Sequence, residues 1–211
     1  MKGKRRRSRG RPTLEDVEGI ESRLLDVALR EFVQHGYGGT SMRRIVNVAG
    51  ISKTTLYSRF SSKEQLFRAI MRQQIDRLSV ATSRDPQPAR LNFEKGLVAY
   101  ANHMLEVSLR GDLLEVNRLI FRESHRFPEL GAAAAERTTL GIRQVADLIK
   151  SWATADRIPC RDPEAIAEAI THMLRGWYTN VVLTNTKVPN AQREQWVRCA
   201  VHALISARRE W

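Results

Sequence analysis

Apolar residues recur along most of this chain at the spacing of one helical face, and no stretch sustains a period-two alternation of β-branched residues. The pattern predicts helix after helix. Ile20, Leu24, Val27, Ala28 and Phe32 share one face of a first helix. Thr13 can cap its start, with Asp16 three residues on as in a capping box, and Gly36, Gly38 and Gly39 end it. Thr40 offers the cap of a short second helix through Met42, Ile45, Val46 and Val48, which Gly50 breaks. Ser52 caps a short third helix with Leu56 and Phe60 on one side. Ser62 with Gln65 opens a fourth through Leu66, Ile70, Ile75 and Leu78. Two prolines in the loop Ser83 to Pro88 make it the best internal boundary. Further helices are expected near 90–109, 112–125, 128–155, 163–184 and 190–209, separated by Gly111-Asp112, Phe127-Pro128, the Pro159 to Pro163 gap and Val188-Pro189-Asn190.

The 211 residues suffice for a sizeable core, and no run approaches the roughly 20 apolar residues of a membrane span. No apolar h-region follows the basic start, so no secretory signal is expected and the cytoplasm is favoured. Cys160 and Cys199 form no disulfide framework or metal-ligand spacing. Charge changes the picture more. The net charge is +12, and residues 1–70 hold 15 Lys/Arg against 7 Asp/Glu. Seven of those basic side chains precede residue 12, with no acid among them, which suits a polyanionic partner. The arm lacks the apolar anchors of a membrane-surface segment. Within it, Arg9-Gly10-Arg11-Pro12 resembles the core of an AT-hook. Arg9 and Arg11 can therefore enter a narrow minor groove or serve as nonspecific phosphate contacts.

The stretch Thr40 to Leu66 carries the chemistry. Two short helices joined at Gly50 make a helix-turn-helix, with Ile45, Ala49, Ile51, Leu56 and Phe60 packing the pair. The second helix would then enter a major groove. Its remaining residues, Ser52, Lys53, Thr54, Thr55, Tyr57, Ser58 and Arg59, are hydroxyls, a phenol and bases without an acid. Such a face suits phosphate oxygens and thymine methyls. Thr40 and Arg43 at one helix start, and Ser62 and Lys63 at another, stand where free backbone N–H groups favour a phosphate.

Residues 20–70 resemble the N-terminal domain of TetR-type regulators. The resemblance rests on Ala28-Leu29-Arg30-Glu31-Phe32, Gly36-Tyr37, Thr40-Ser41-Met42, Ile45, Ala49-Gly50-Ile51-Ser52-Lys53, Leu56-Tyr57, Phe60 and Lys63-Glu64-Gln65-Leu66. It implies an all-α homodimer: an N-terminal three-helix helix-turn-helix domain plus a C-terminal helical ligand-binding and dimerisation domain. It also implies Ser52, Lys53, Thr54, Thr55, Tyr57 and Lys63 as DNA contacts. Val46 and Thr54 depart from the small residues frequent at those positions. The expected organisation is a basic arm over 1–13, the DNA-binding domain over 14–62, a connecting helix over 63–82 and the effector and dimerisation domain over 83–211.

The segment from Arg118 to Leu130 resembles a signature of one C-terminal class within that family, with Arg122, His125 and Glu129 as a structural network around its turn. In the helix at 163–184, Ile166, Ile170, Met173, Leu174, Trp177 and Val181 form a stripe. In the last helix, Val197, Val201, Leu204 and Ile205 stand among Ala200, Ala203 and Ala207. Apolar and small residues on more than one side suit a four-helix dimer interface. An effector pocket is expected among the middle helices, with Tyr100, Met104, Leu105, Phe121, Trp152, His172 and Trp177 as candidates, although for any one of them ordinary core packing is the better reading. No catalytic constellation, cofactor motif or metal-ligand cluster stands out, so an enzyme is not expected. The reading is a repressor of transcription, released from a palindromic operator in double-stranded DNA by a small-molecule effector. A sequence-tolerant architectural DNA binder relying on the basic arm is the alternative.

Overall fold

The computed structural model describes residues 14–83 and 92–206. Thr13, the basic arm with Arg9 and Arg11, the Pro86–Pro88 loop and Ala207 lie outside them. The described residues fold into α1 (Leu14–Gly39), α2 (Met42–Ala49), α3 (Lys53–Tyr57), α4 (Lys63–Ser83), α5 (Phe93–Ser108), α6 (Gly111–Glu123), α7 (Pro128–Ala155), α8 (Pro163–Thr184) and α9 (Asn190–Ser206). Two compact units divide between Ile70 and Met71, inside α4.

In the first unit, α1 buries Leu24, Val27, Ala28 and Phe32, the face that the spacing predicts. Gly36 adopts φ 69°, ψ 172°, a conformation essentially reserved for glycine, and the chain kinks there. Tyr37 is thereby carried back against the core, where Phe32, Tyr37 and Phe67 form an aromatic cluster with Phe67 edge-on to both other rings at 5.0 Å. The buried face of α2 is Met42, Ile45, Val46 and Ala49. Val48, expected in that apolar run, is off it and 52% exposed, because position 48 falls between the i, i+3, i+4 and i+7 positions that face inward. The cap of α2 also differs from expectation. Ser41, not Thr40, accepts the Arg44 N–H, at 3.2 Å. Thr40 Oγ1 instead turns into the core, within hydrogen-bond distance of the Glu31 and Gly36 carbonyls.

The second unit centres on α5, α7, α8 and α9, with Leu97, Ala101, Leu105, Ile149, Ile170, Leu174, Val197 and Val201 at its core. Gly96 is a contact requirement: a Cβ there would lie 2.6 Å from Trp152 ring carbons. The start of α5 is doubly capped, since Asn92 accepts from Lys95 N–H at 2.9 Å and the Asp156 carboxylate from Phe93 N–H at 2.6 Å. Pro128 and Pro163 open α7 and α8 in their first turns, where a missing N–H costs nothing. The turn before α7 is held by backbone bonds from Arg126 and Phe127 N–H to the Glu123 carbonyl, both 2.9 Å. Arg122, His125 and Glu129 are exposed around it.

Candidate nucleic-acid interface

Gly50 at φ 66°, ψ 33° makes the left-handed turn that sets α3 across α2, and its N–H closes on the Val46 carbonyl. Leu56 and Phe60 then bury against the unit, and Ile51 is half-buried. This leaves one side of α3 outside. Ser52, Lys53, Thr54, Tyr57 and Ser58 are exposed and Thr55 is half-buried. Tyr57 is the largest of them, with 49% of its surface exposed on a residue type that cores usually claim.

Local hydrogen bonds fix this edge. Ser52 Oγ accepts the Thr55 N–H at 3.0 Å and lies 2.8 Å from Thr55 Oγ1. Ser58 Oγ donates to the Thr55 carbonyl at 3.0 Å. Ser52 and Ser58 thus hold the ends of α3, while Lys53, Thr54 and Tyr57 project between them. Arg43 is exposed on α2. Arg44, its neighbour, is tied by its Nε to the buried Glu31 carboxylate, and Arg59 pairs with Glu21. Arg59 therefore leaves the polar face that the sequence assigns it to, turned back onto α1.

Lys63 is held in the same way. Its Nζ donates to the Tyr37 and Thr40 carbonyls, each at 2.9 Å, and sits 4.3 Å from the Tyr37 ring centroid. Lys63 and Thr40 thus secure the end of α1. At the α4 start, Ser62 Oγ accepts Gln65 N–H at 3.1 Å, while Gln65 Oε1 reaches back to Ser61 N–H at 2.7 Å, one residue before the cap itself. Val48, expected in the apolar run of α2, is instead an exposed group beside the turn. The signal that finds it is its place off the buried face of α2.

Of the effector-pocket candidates in the second unit, Tyr100 and Met104 come together: the phenol donates to the thioether sulfur at 3.6 Å. Burial raises the Tyr100 hydroxyl to a pKa of about 12, against a smaller opposing effect of Thr171. Trp152 is buried against Gly96, and Leu105 is fully buried. Phe121 and His172 lie at the surface, His172 with Nδ1 2.9 Å from the Glu168 carbonyl. Trp177 stacks on Trp196 with centroids 5.1 Å apart.

A family model described as bacterial regulatory proteins, tetR family, matches residues 24–70, and one described as AefR-like transcriptional repressor, C-terminal domain, matches residues 95–207. The chain is 42% identical over 74 residues to the HTH-type transcriptional repressor ComR of Escherichia coli (strain K12), covering 35% of this chain. It spans 33% of that repressor's own length. A solved TetR-family transcriptional regulator from Mesorhizobium loti superimposes with a TM-score of 0.75 at 26% identity, covering 90% of this chain and 97% of that one. The flavonoid-responsive regulator FrrA does so with a TM-score of 0.68 at 27% identity over the same shares.

Proposed function

This chain belongs to the TetR family of bacterial regulators, and from that premise we propose that it represses transcription as a homodimer bound to a palindromic operator. The observation that carries the proposal is the exposed edge of α3. An acid-free row of hydroxyls, a lysine and a phenol is fixed in place by its own caps, next to a turn that only a left-handed residue makes. Lys53, Thr54 and Tyr57 contact base edges or phosphates from the groove. Arg43, Ser52, Thr55 and Ser58 contact or position the backbone of the duplex. Arg9 and Arg11 add phosphate or minor-groove contacts.

A palindrome requires a two-fold protein. Trp177 and Trp196 are stacked yet half-exposed, Leu183 is 72% exposed, and Cys199 and Ala203 are exposed on α9. This apolar, small-residue surface on the last two helices supports pairing with a second copy. Relief of repression is assigned to a small molecule bound in the second unit, in keeping with the described responsiveness of FrrA. Such a molecule acts only by binding the DNA-free state more tightly than the DNA-bound one. Among the described residues no helix is long and apolar enough to cross a membrane, which fits a regulator working on DNA in the cytoplasm.

Selection of bound duplexes from a random pool tests the reading. An inverted repeat with half-sites about one helical turn apart, or a small multiple of it, is expected. Binding without preference among duplexes would remove the repressor and leave only the architectural alternative, for which nothing beyond the basic arm speaks.

A further inference from the structure

The second unit has a polar seam through an otherwise apolar core. On α8, Thr171, Arg175 and Tyr178 stand at i, i+4 and i+7 and share one face. Facing Tyr178 from α6 are Asn117 and Arg118, and Tyr100 of α5 lies against Thr171. Asn117, Thr171 and Tyr178 are each more than nine-tenths buried. Asn117 Nδ2, Arg118 Nε, Thr171 Oγ1 and Tyr178 OH are sealed from solvent and none has a partner at full hydrogen-bond geometry, although Asn117 lies close enough to Tyr178, and Thr171 to Tyr100, to interact weakly. Burying such a group without a well-made hydrogen bond is destabilising. Such groups along one seam, three of them gathered at Asn117, Arg118 and Tyr178, call for an explanation.

Their chemistry is one-sided. Burial raises the Tyr178 hydroxyl, more than Asn117, Arg118 and Arg175 lower it, so the phenol is a neutral O–H donor at pH 7. Asn117 Nδ2 and Arg118 Nε also donate. Two guanidiniums border the seam. Arg118 spends Nη1 on Glu115 and Nη2 on Asn185, each at 2.6 Å, and Arg175 spends Nη1 on Thr138. Glu115, on the Arg118 side, is the acid paired there; the seam as a whole keeps an excess of positive charge and of donors. Around it lie Leu174, Val182 and the half-buried Met104, all apolar.

Resting on the effector-responsive reading above, we propose that this seam is the recognition site for an organic anion. Its carboxylate or phenolate accepts from Asn117, Tyr178 and Arg118, and its apolar body lies among the α5 and α8 side chains. The anion supplies a strong acceptor where the fold supplies chiefly donors, and its charge is met by Arg118 and Arg175.

Titration calorimetry on the full-length protein tests this with benzoate, 4-hydroxybenzoate and octanoate, and with benzamide as the neutral counterpart. Benzoate against octanoate distinguishes a flat body from a flexible chain, and 4-hydroxybenzoate adds the phenol. At least one acid is expected to bind about 10-fold or more tighter than benzamide. Tyr178→Phe and Asn117→Leu should each weaken it about 10-fold, the loss of one charge-assisted hydrogen bond. Lys150→Gln, exposed on α7, should not change the affinity. Circular dichroism melting confirms that the variants fold. If no acid exceeds benzamide, or if both variants keep the affinity of the parent while melting higher, the donors serve internal water and the site is lost. Acid binding that leaves the operator complex intact would support the site and overturn only the induction mechanism.

Discussion

The ammonium of Lys63 sits 4.3 Å from the ring centroid of Tyr37 and donates to that residue's own carbonyl at 2.9 Å. One side chain at the start of α4 thus gathers the end of α1, where the last carbonyls of a helix have no partner in the next turn. Tyr37 in turn packs its ring on Phe67, one turn further along α4. The pair thus ties the turn before the helix-turn-helix to the helix after it.

Replacing Lys63 by Met keeps the aliphatic stem and removes the donors. The expected loss is about 2 kcal/mol, the value of charge-assisted hydrogen bonds to carbonyls left partly buried. Because the ammonium is engaged inside the protein, the salt slope of DNA binding should stay near that of the parent. A slope shallower by about one unit, without a fall in melting temperature, would place Lys63 on a phosphate instead.

The exposed edge of α3 behaves in the opposite way. Tyr57 and Lys53 face solvent, so Tyr57→Ala and Lys53→Ala should alter stability by no more than about 0.5 kcal/mol. Both should weaken operator binding. Lys53→Ala on a phosphate flattens the salt slope by about one unit, whereas loss at a base edge relaxes sequence preference at one position. Parallel urea melts and gel-shift titrations over a range of salt separate these outcomes.

Gly96 should resist its smallest replacement. Alanine normally gains about 1 kcal/mol over glycine inside a helix. Here the added carbon meets the rigid Trp152 ring at 2.6 Å. Overpacking of that kind costs about 1–3 kcal/mol, so Gly96→Ala is expected to be net destabilising. Thermal melting of Gly96→Ala, with and without Trp152→Leu, checks the cause: the double variant should recover part of the alanine penalty.

Tyr100 supplies a pH dependence. Burial lifts its folded pKa from the ordinary 10.0 to about 12, so between these values the unfolded chain gives up a proton that the folded chain keeps. The stability this represents is fully present below pH 10 and is lost as pH rises towards 12. Tyr100→Phe should flatten the decline over that interval relative to the parent. Equal slopes for the two proteins would place the phenol in water.

How far these features can be read from the sequence depends on the range of the interactions behind them. Helix extents follow from local spacing and punctuation, and α7 and α8 begin at the prolines that the chain itself supplies, Pro128 and Pro163. Gly50 is legible because only one backbone conformation makes that turn. Thr40 was not: both it and Ser41 are good caps in isolation, and the choice is settled by carbonyls of Glu31 and Gly36, up to nine residues away. Arg59 was lost to Glu21 for the same reason, a partner 38 positions off. The polar seam was invisible as a unit. Asn117 and Arg118 stand more than 50 positions from Tyr178, and nothing in helical periodicity joins them.

The outer side of α9 carries the final prediction. Trp196, Cys199 and Ala203 fall at i, i+3 and i+7, one stripe of the helix, running from half-buried to exposed. A stripe of an aromatic, a thiol and a methyl is poorly suited to water but well suited to a close helix crossing with a second copy. Ala203→Glu places a charge on that stripe without disturbing the buried Val197, Ala200 and Val201 on the inner side. Two such charges would meet near the two-fold axis, where desolvation and like-charge repulsion act together. Light scattering after gel filtration should show the parent as a dimer and Ala203→Glu as a monomer of unchanged helix content. The monomer should lose affinity for the full operator yet bind a single half-site as the parent protomer does. A variant that remained dimeric would move the interface away from α9.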